Sequence, residues 1–81
     1  MDEYKERMIE EYNYIKQKSE KLHNMLVKMD ANTLDFTPNC SAELLRKQAE
    51  VMAQYLYILE IRSEVEGIGV ENLALLEGVE K

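Results

Sequence analysis

Cysteine, histidine, proline and phenylalanine occur once each in these 81 residues, glycine three times and tryptophan not at all. With Cys40 alone there is no disulfide framework, and with His23 alone there is no zinc-ligand spacing, so neither staple of very small domains is available. That cysteine usage suits a reducing, intracellular setting. No stretch approaches the roughly 18 apolar residues of a membrane-spanning helix. Met1-Asp2-Glu3-Tyr4 is acidic and lacks the apolar core of a signal peptide. The expectation is a soluble chain with no membrane partner. Positive charge is also scarce, with 10 Lys and Arg against 16 Asp and Glu, a formal net charge of -6. An acidic balance opposes broad binding to a nucleic-acid backbone, so DNA is not an expected partner. Nucleophilic catalysis needs a nucleophile, a base and an orienting group, whereas His23 stands alone and Cys40 has no second histidine to activate it. No Glu-x-x-His motif of di-iron bundles is present. The expectation is a protein that is not an enzyme and takes no metal or cofactor.

What is present is helical periodicity. From Asp2 to Lys28 there is neither Gly nor Pro, and Met8, Tyr12, Ile15, Ser19, Leu22, Leu26 and Met29 follow a 4,3 spacing that keeps them on one face. Ser19 leaves a small, polar gap in the middle of that stripe. Turn formers then gather between Asp30 and Ser41, with Thr37 before Pro38 reading as a helix N-cap and Ser41 as the alternative. A second helix runs from there and stops at Gly67-Ile68-Gly69. The fold class is all-α: an antiparallel two-helix hairpin in one domain, 1–81. Its helices are expected at about 2–29 and 41–66, joined by a loop at about 30–40, with a short helical segment or tail at 70–78. A chain this small buries only about 60% of its unfolded surface, so assembly into a homo-oligomeric helical bundle is the expected remedy.

The second helix carries Gln48, Tyr55 and Arg62 seven residues apart, flanked by Leu44, Val51, Ile58 and Val65 on one side and Leu45, Met52 and Leu59 on the other. Polar groups within an apolar face need partners. Either they fix register in a helical seam, with Glu11 at the level of Arg62, or they meet a ligand. Tyr57 and Ile61 point away from that stripe, and Tyr14 lies at the same level on the first helix, which suggests a second, outward interface. Charge is uneven as well. Lys16, Lys18, Lys21 and Lys28 are opposed only by Glu20, whereas the region from Glu60 to Glu80 is acidic apart from Arg62. The lysine band is a candidate anion site.

Glu6-Arg7-Met8-Ile9-Glu10-Glu11, Lys18-Ser19-Glu20-Lys21-Leu22 and Glu43-Leu44-Leu45-Arg46-Lys47-Gln48, continuing through Met52, Tyr55, Leu59 and Arg62, resemble the small helical-hairpin proteins of gut bacteriophages, including crAss-like phages. The resemblance spans residues 6 to 62. The hairpin is similar to that of phage anti-CBASS sponges, oligomers that sequester cyclic oligonucleotide alarm signals without cleaving them. It implies a non-catalytic protein of the host cytoplasm that binds cyclic di- or trinucleotides, with cyclic ADP-ribose signals as a further ligand class. Carried over by position, Tyr12 would stack on a base and Lys16 or Lys18 would meet phosphate. Arg7, Arg46, Gln48, Tyr55 and Arg62 match the shared pattern. The segment from Asp30 to Ser41 and the tail beyond Gly67 have no counterpart. The competing expectation is a structural or adaptor oligomer without a small-molecule ligand.

Overall fold

The computed structural model describes residues 3–73, which hold two α-helices packed side by side, α1 (Glu3–Asp30) and α2 (Ala42–Val65). Contacts between Tyr4 and Arg62, Tyr12 and Glu60, and Asp30 and Arg46 make the pair antiparallel. No strand occurs among the described residues, so the all-α hairpin read from the periodicity is the observed architecture. Of the helical segment expected at 70–78, Val70–Asn72 forms a 3-10 turn, and the part from 74 onward lies outside the described residues.

The helix ends follow from local chemistry. Glu3 and Glu6 sit in the first turn of α1 and Lys28 in its last, each complementing the helix dipole. Asn32 then takes a left-handed conformation, φ 61°, and the chain closes back on itself. The Asn32 and Thr33 amides donate to the Met29 and Lys28 carbonyls at 3.2 and 2.9 Å. At the start of α2, the Ser41 hydroxyl accepts from the Leu44 amide at 3.1 Å. Ser41, rather than Thr37 before the proline, is therefore the N-cap, because its oxygen reaches the third amide of the helix. At the other end of α2, Gly67 has φ 80° and its amide donates to the Glu64 carbonyl. The next amide, of Ile68, donates to the Ser63 carbonyl at 2.9 Å, completing the same reversal.

That reversal delivers Ile68 and Leu73 into the open end of the hairpin, where they are buried with Met8, Ile9, Tyr12 and Leu59. Asn13 anchors the returning chain by donating from Nδ2 to the Leu73 carbonyl at 2.9 Å, 60 residues away. A separate cluster, Leu22, Leu26 and Leu45 with Met25, Met29, Ala49 and Met52 against it, closes the turn end. The stripe read on the first helix is thus the buried one. The core is in two pieces, with small side chains between them.

The polar column of α2 sits differently from its expected place in the buried face. Leu45 and Leu59 point at α1 and are buried, Tyr55 is half-buried, and Gln48 and Arg62 are exposed. The other flanking row, Leu44, Val51, Ile58 and Val65, is exposed in the single chain. Both flanking rows were apolar, and α2 can turn only one of them toward α1. Ser63 is fully buried among those facing residues, and it tolerates that place because its hydroxyl donates to the Glu60 carbonyl at 2.7 Å and so needs no outside partner. Arg62 donates to the Tyr4 hydroxyl instead of pairing with the Glu11 carboxylate.

A candidate ligand groove between the helices

Between the two core clusters the helices face each other with short side chains. Ser19 on α1 and Ala49 and Ala53 on α2 form the floor of an open groove of about 520 Å³, whose rim is Glu20, His23 and Asn24. Its cause is in the sequence: the core stripe of α1 breaks at Ser19, and α2 sets alanines at the matching level, so nothing long enough to fill the gap points into it. The volume lies within the range of about 300–1,000 Å³ typical of small-molecule sites. A carboxylate, an amide, an imidazole and a hydroxyl around one cleft offer both acceptors and donors. This suits the edge of a heterocyclic base.

Helical spacing puts two more groups at this flank. Lys16 lies one turn before Ser19 and Glu20, and its ammonium sits 5.8 Å from the centre of the Tyr12 ring. Tyr57 lies one turn beyond Ala53 with its ring exposed. In the antiparallel pair these two residues stand at one level, beside the end of the groove nearer the open end of the hairpin. Tyr12 itself is only 4% exposed, packed in the core with its hydroxyl donating to Glu60 at 2.7 Å.

The sequence-derived candidates therefore divide between two sides of the hairpin. Tyr12, Lys16 and Arg46 belong to the groove side. Arg46 is engaged by Asp30 across the turn, and the hydrogen bond and negative charge of that carboxylate hold the guanidinium pKa above its ordinary value. Both partners are exposed, so the pair is a tether screened by water. Gln48, Tyr55 and Arg62 lie on the opposite side, which their heptad spacing fixes as one row. Lys18 stands there with its ammonium 5.2 Å from the exposed ring of Tyr14. Arg7 pairs with Glu3 at 3.6 Å along the helix surface. Tyr14 and Tyr57 consequently do not share one outward patch.

His23, Asn24 and Tyr57 were not among the expected ligand residues. The signal that could have found them is the coincidence of Ser19 with Ala49 and Ala53 at one level, since a groove needs a floor before a rim has meaning. Among the described residues no three His, Cys, Asp or Glu side chains gather as a metal site, and no helix is long and apolar enough to cross a membrane.

Fold and site together define a small all-α hairpin that offers a polar interhelical groove. The chain belongs to the Sequestin family, whose model matches residues 2–65 and so covers both helices. The family name denotes sequestration, in agreement with a sponge-type anti-CBASS protein and with a non-catalytic role. No curated protein and no solved structure matches the chain significantly.

Proposed function

We propose that this protein is a non-catalytic phage sponge that sequesters cyclic oligonucleotide immune signals in the host cytoplasm, working as a homo-oligomer. The observation that carries the reading is the groove: an open cleft with a small-residue floor, a rim of mixed donors and acceptors, and a lysine and an exposed tyrosine at the same level beside its end nearer the open end of the hairpin. In this reading Lys16 meets a phosphate, Tyr57 stacks on a base, and Glu20, His23 and Asn24 face base or ribose edges. Arg46, on release from Asp30, extends the positive field of the groove side toward a second phosphate.

The magnitudes suit a sponge. A charge-assisted hydrogen bond to phosphate contributes about 1.5–3 kcal/mol net, and a stacked base about 1–3 kcal/mol. Two of each reach roughly 5–12 kcal/mol before ordering costs, which spans weak capture to nanomolar binding. Capture needs nothing more, because no bond is broken. Ser19 and His23 are neighbours one turn apart on α1, but among the described residues no hydrogen bond joins them, so no activated nucleophile is assembled in the groove.

The test is calorimetry of the purified protein against a panel of cyclic dinucleotides, cyclic trinucleotides and cyclic ADP-ribose isomers, followed by heat release and chromatography of the ligand. The expected outcome is micromolar or tighter binding of at least one panel member, recovered chemically intact, and at least tenfold weaker binding by Lys16→Glu. Recovery of a converted product would make the protein an enzyme. Absence of heat with every member would favour the adaptor reading, for which the specific observation is the exposed apolar row on α2.

A further inference from the structure

One side of α2 remains uncovered in the single chain, and it is patterned. Leu44, Val51, Ile58 and Val65 recur every seven residues and are 58%, 51%, 52% and 79% exposed. Gln48, Tyr55 and Arg62 stand between them, so that the whole row alternates in steps of four and three, the spacing of a coiled-coil seam. Large aliphatic side chains exposed in a row over the length of a helix form a contiguous patch of the kind that marks an interaction site. The row lies on the side of α2 away from Ala49 and Ala53, so covering it leaves the groove open.

We propose that a second copy of this chain covers this row, with the two α2 helices packed antiparallel about a two-fold axis near Ala53. This specifies the contact for the oligomer proposed above. Full overlap of two α2 helices in that orientation sets Leu44 beside the partner's Arg62, Gln48 beside the partner's Ile58, and Val51 beside the partner's Tyr55. Each polar member of the row then faces an aliphatic one instead of its own counterpart.

Charge decides the direction. In a parallel pair Arg62 would face the partner's Arg62, two cations in one apolar seam. In the antiparallel pair Arg62 lies instead at the level of the partner's Glu43, so the like-charge contact is replaced by one of opposite sign. The one surface is thus complementary to itself under a two-fold rotation, which is what a closed dimer requires.

Two measurements test this. Light scattering should give wild-type particles of at least twice the chain mass of 9.5 kDa, and Ile58→Glu should bring the mass down by at least half while circular dichroism stays helical. Tyr57→Glu, on the groove flank, should leave the mass unchanged and weaken nucleotide binding instead, so the assembly and the ligand site fail separately. In a Cys40→Ser background, Leu44→Cys combined with Arg62→Cys should form a disulfide-linked dimer under mild oxidation, whereas Leu44→Cys alone should not. Within one chain those two positions are 18 residues apart on a helix, about 27 Å, too far to bridge internally. A monomeric wild type, an unchanged mass for Ile58→Glu, cross-linking by Leu44→Cys alone, or no cross-linking by the double variant would each overturn the proposal.

Discussion

Asn13 holds more of this structure together than its polarity suggests. It is buried on α1, donates to the Ile9 carbonyl of its own helix and to the Leu73 carbonyl, both at 2.9 Å, and so fastens the chain after α2 to the open end of the hairpin. Its Oδ1 is buried with no partner among the described residues, a cost that offsets part of the gain. Asn13→Ala is therefore expected to lower unfolding free energy by about 1 kcal/mol, toward the low end for a buried hydrogen bond. Urea denaturation followed by circular dichroism measures it. A stability equal to wild type would show that Leu73 is held by its apolar contacts alone. Nothing in the sequence marked Asn13 for this role, because it lies beside the apolar stripe and its partner is a backbone carbonyl 60 residues on. By contrast, the burial of Met8, Tyr12, Leu22 and Leu26 was legible, since their spacing admits one face only.

At the scale of the elements, the two helices and the connection between them were readable from breakers and caps. The absence of Gly and Pro from α1, the turn formers around Pro38 and the Gly67-Ile68-Gly69 stop leave little freedom. What the sequence could not settle was the roll of α2 about its own axis. Its two apolar rows, one led by Leu44 and one by Leu45, are equally plausible core faces until the tail is placed. Ile68 and Leu73 pack against Leu59 and thereby favour the second row. The reversal that brings them there depends on Gly67, whose φ of 80° disfavours any side chain although a Cβ would meet nothing within 4 Å. Gly67→Ala should therefore destabilise by about 1 kcal/mol through backbone strain alone, and thermal melting should show it. An unchanged melting temperature would mean that the C-terminal reversal contributes nothing to the stability of the hairpin.

At the scale of the whole molecule, the hairpin has two working flanks with different chemistry. One holds the groove between the core clusters, with Lys16 and Tyr57 together beside its end nearer the open end of the hairpin, and the other presents the heptad row of α2. Gln48, Tyr55 and Arg62 gain their meaning from this division: they stand within the exposed row of α2, where the proposed partner helix would pack, and away from the groove. The lysine band likewise resolves into Lys16 on the groove side and Lys18 on the other, each stationed over a tyrosine one turn away. A hairpin only 17 Å across its shortest dimension cannot enclose a ligand by itself, so the proposed capture would depend on the shape of this cleft. That places the decisive weight on the floor, where Ala53 belongs to neither core cluster and is the residue to replace. The most direct measurement is calorimetry of Ala53→Leu against the cyclic nucleotide that the wild type binds most tightly, with melting temperature recorded in parallel. Filling the groove is expected to weaken binding at least tenfold while the melting temperature stays within a few degrees of wild type. Wild-type affinity in a folded Ala53→Leu protein would contradict the account and move the ligand elsewhere on the molecule.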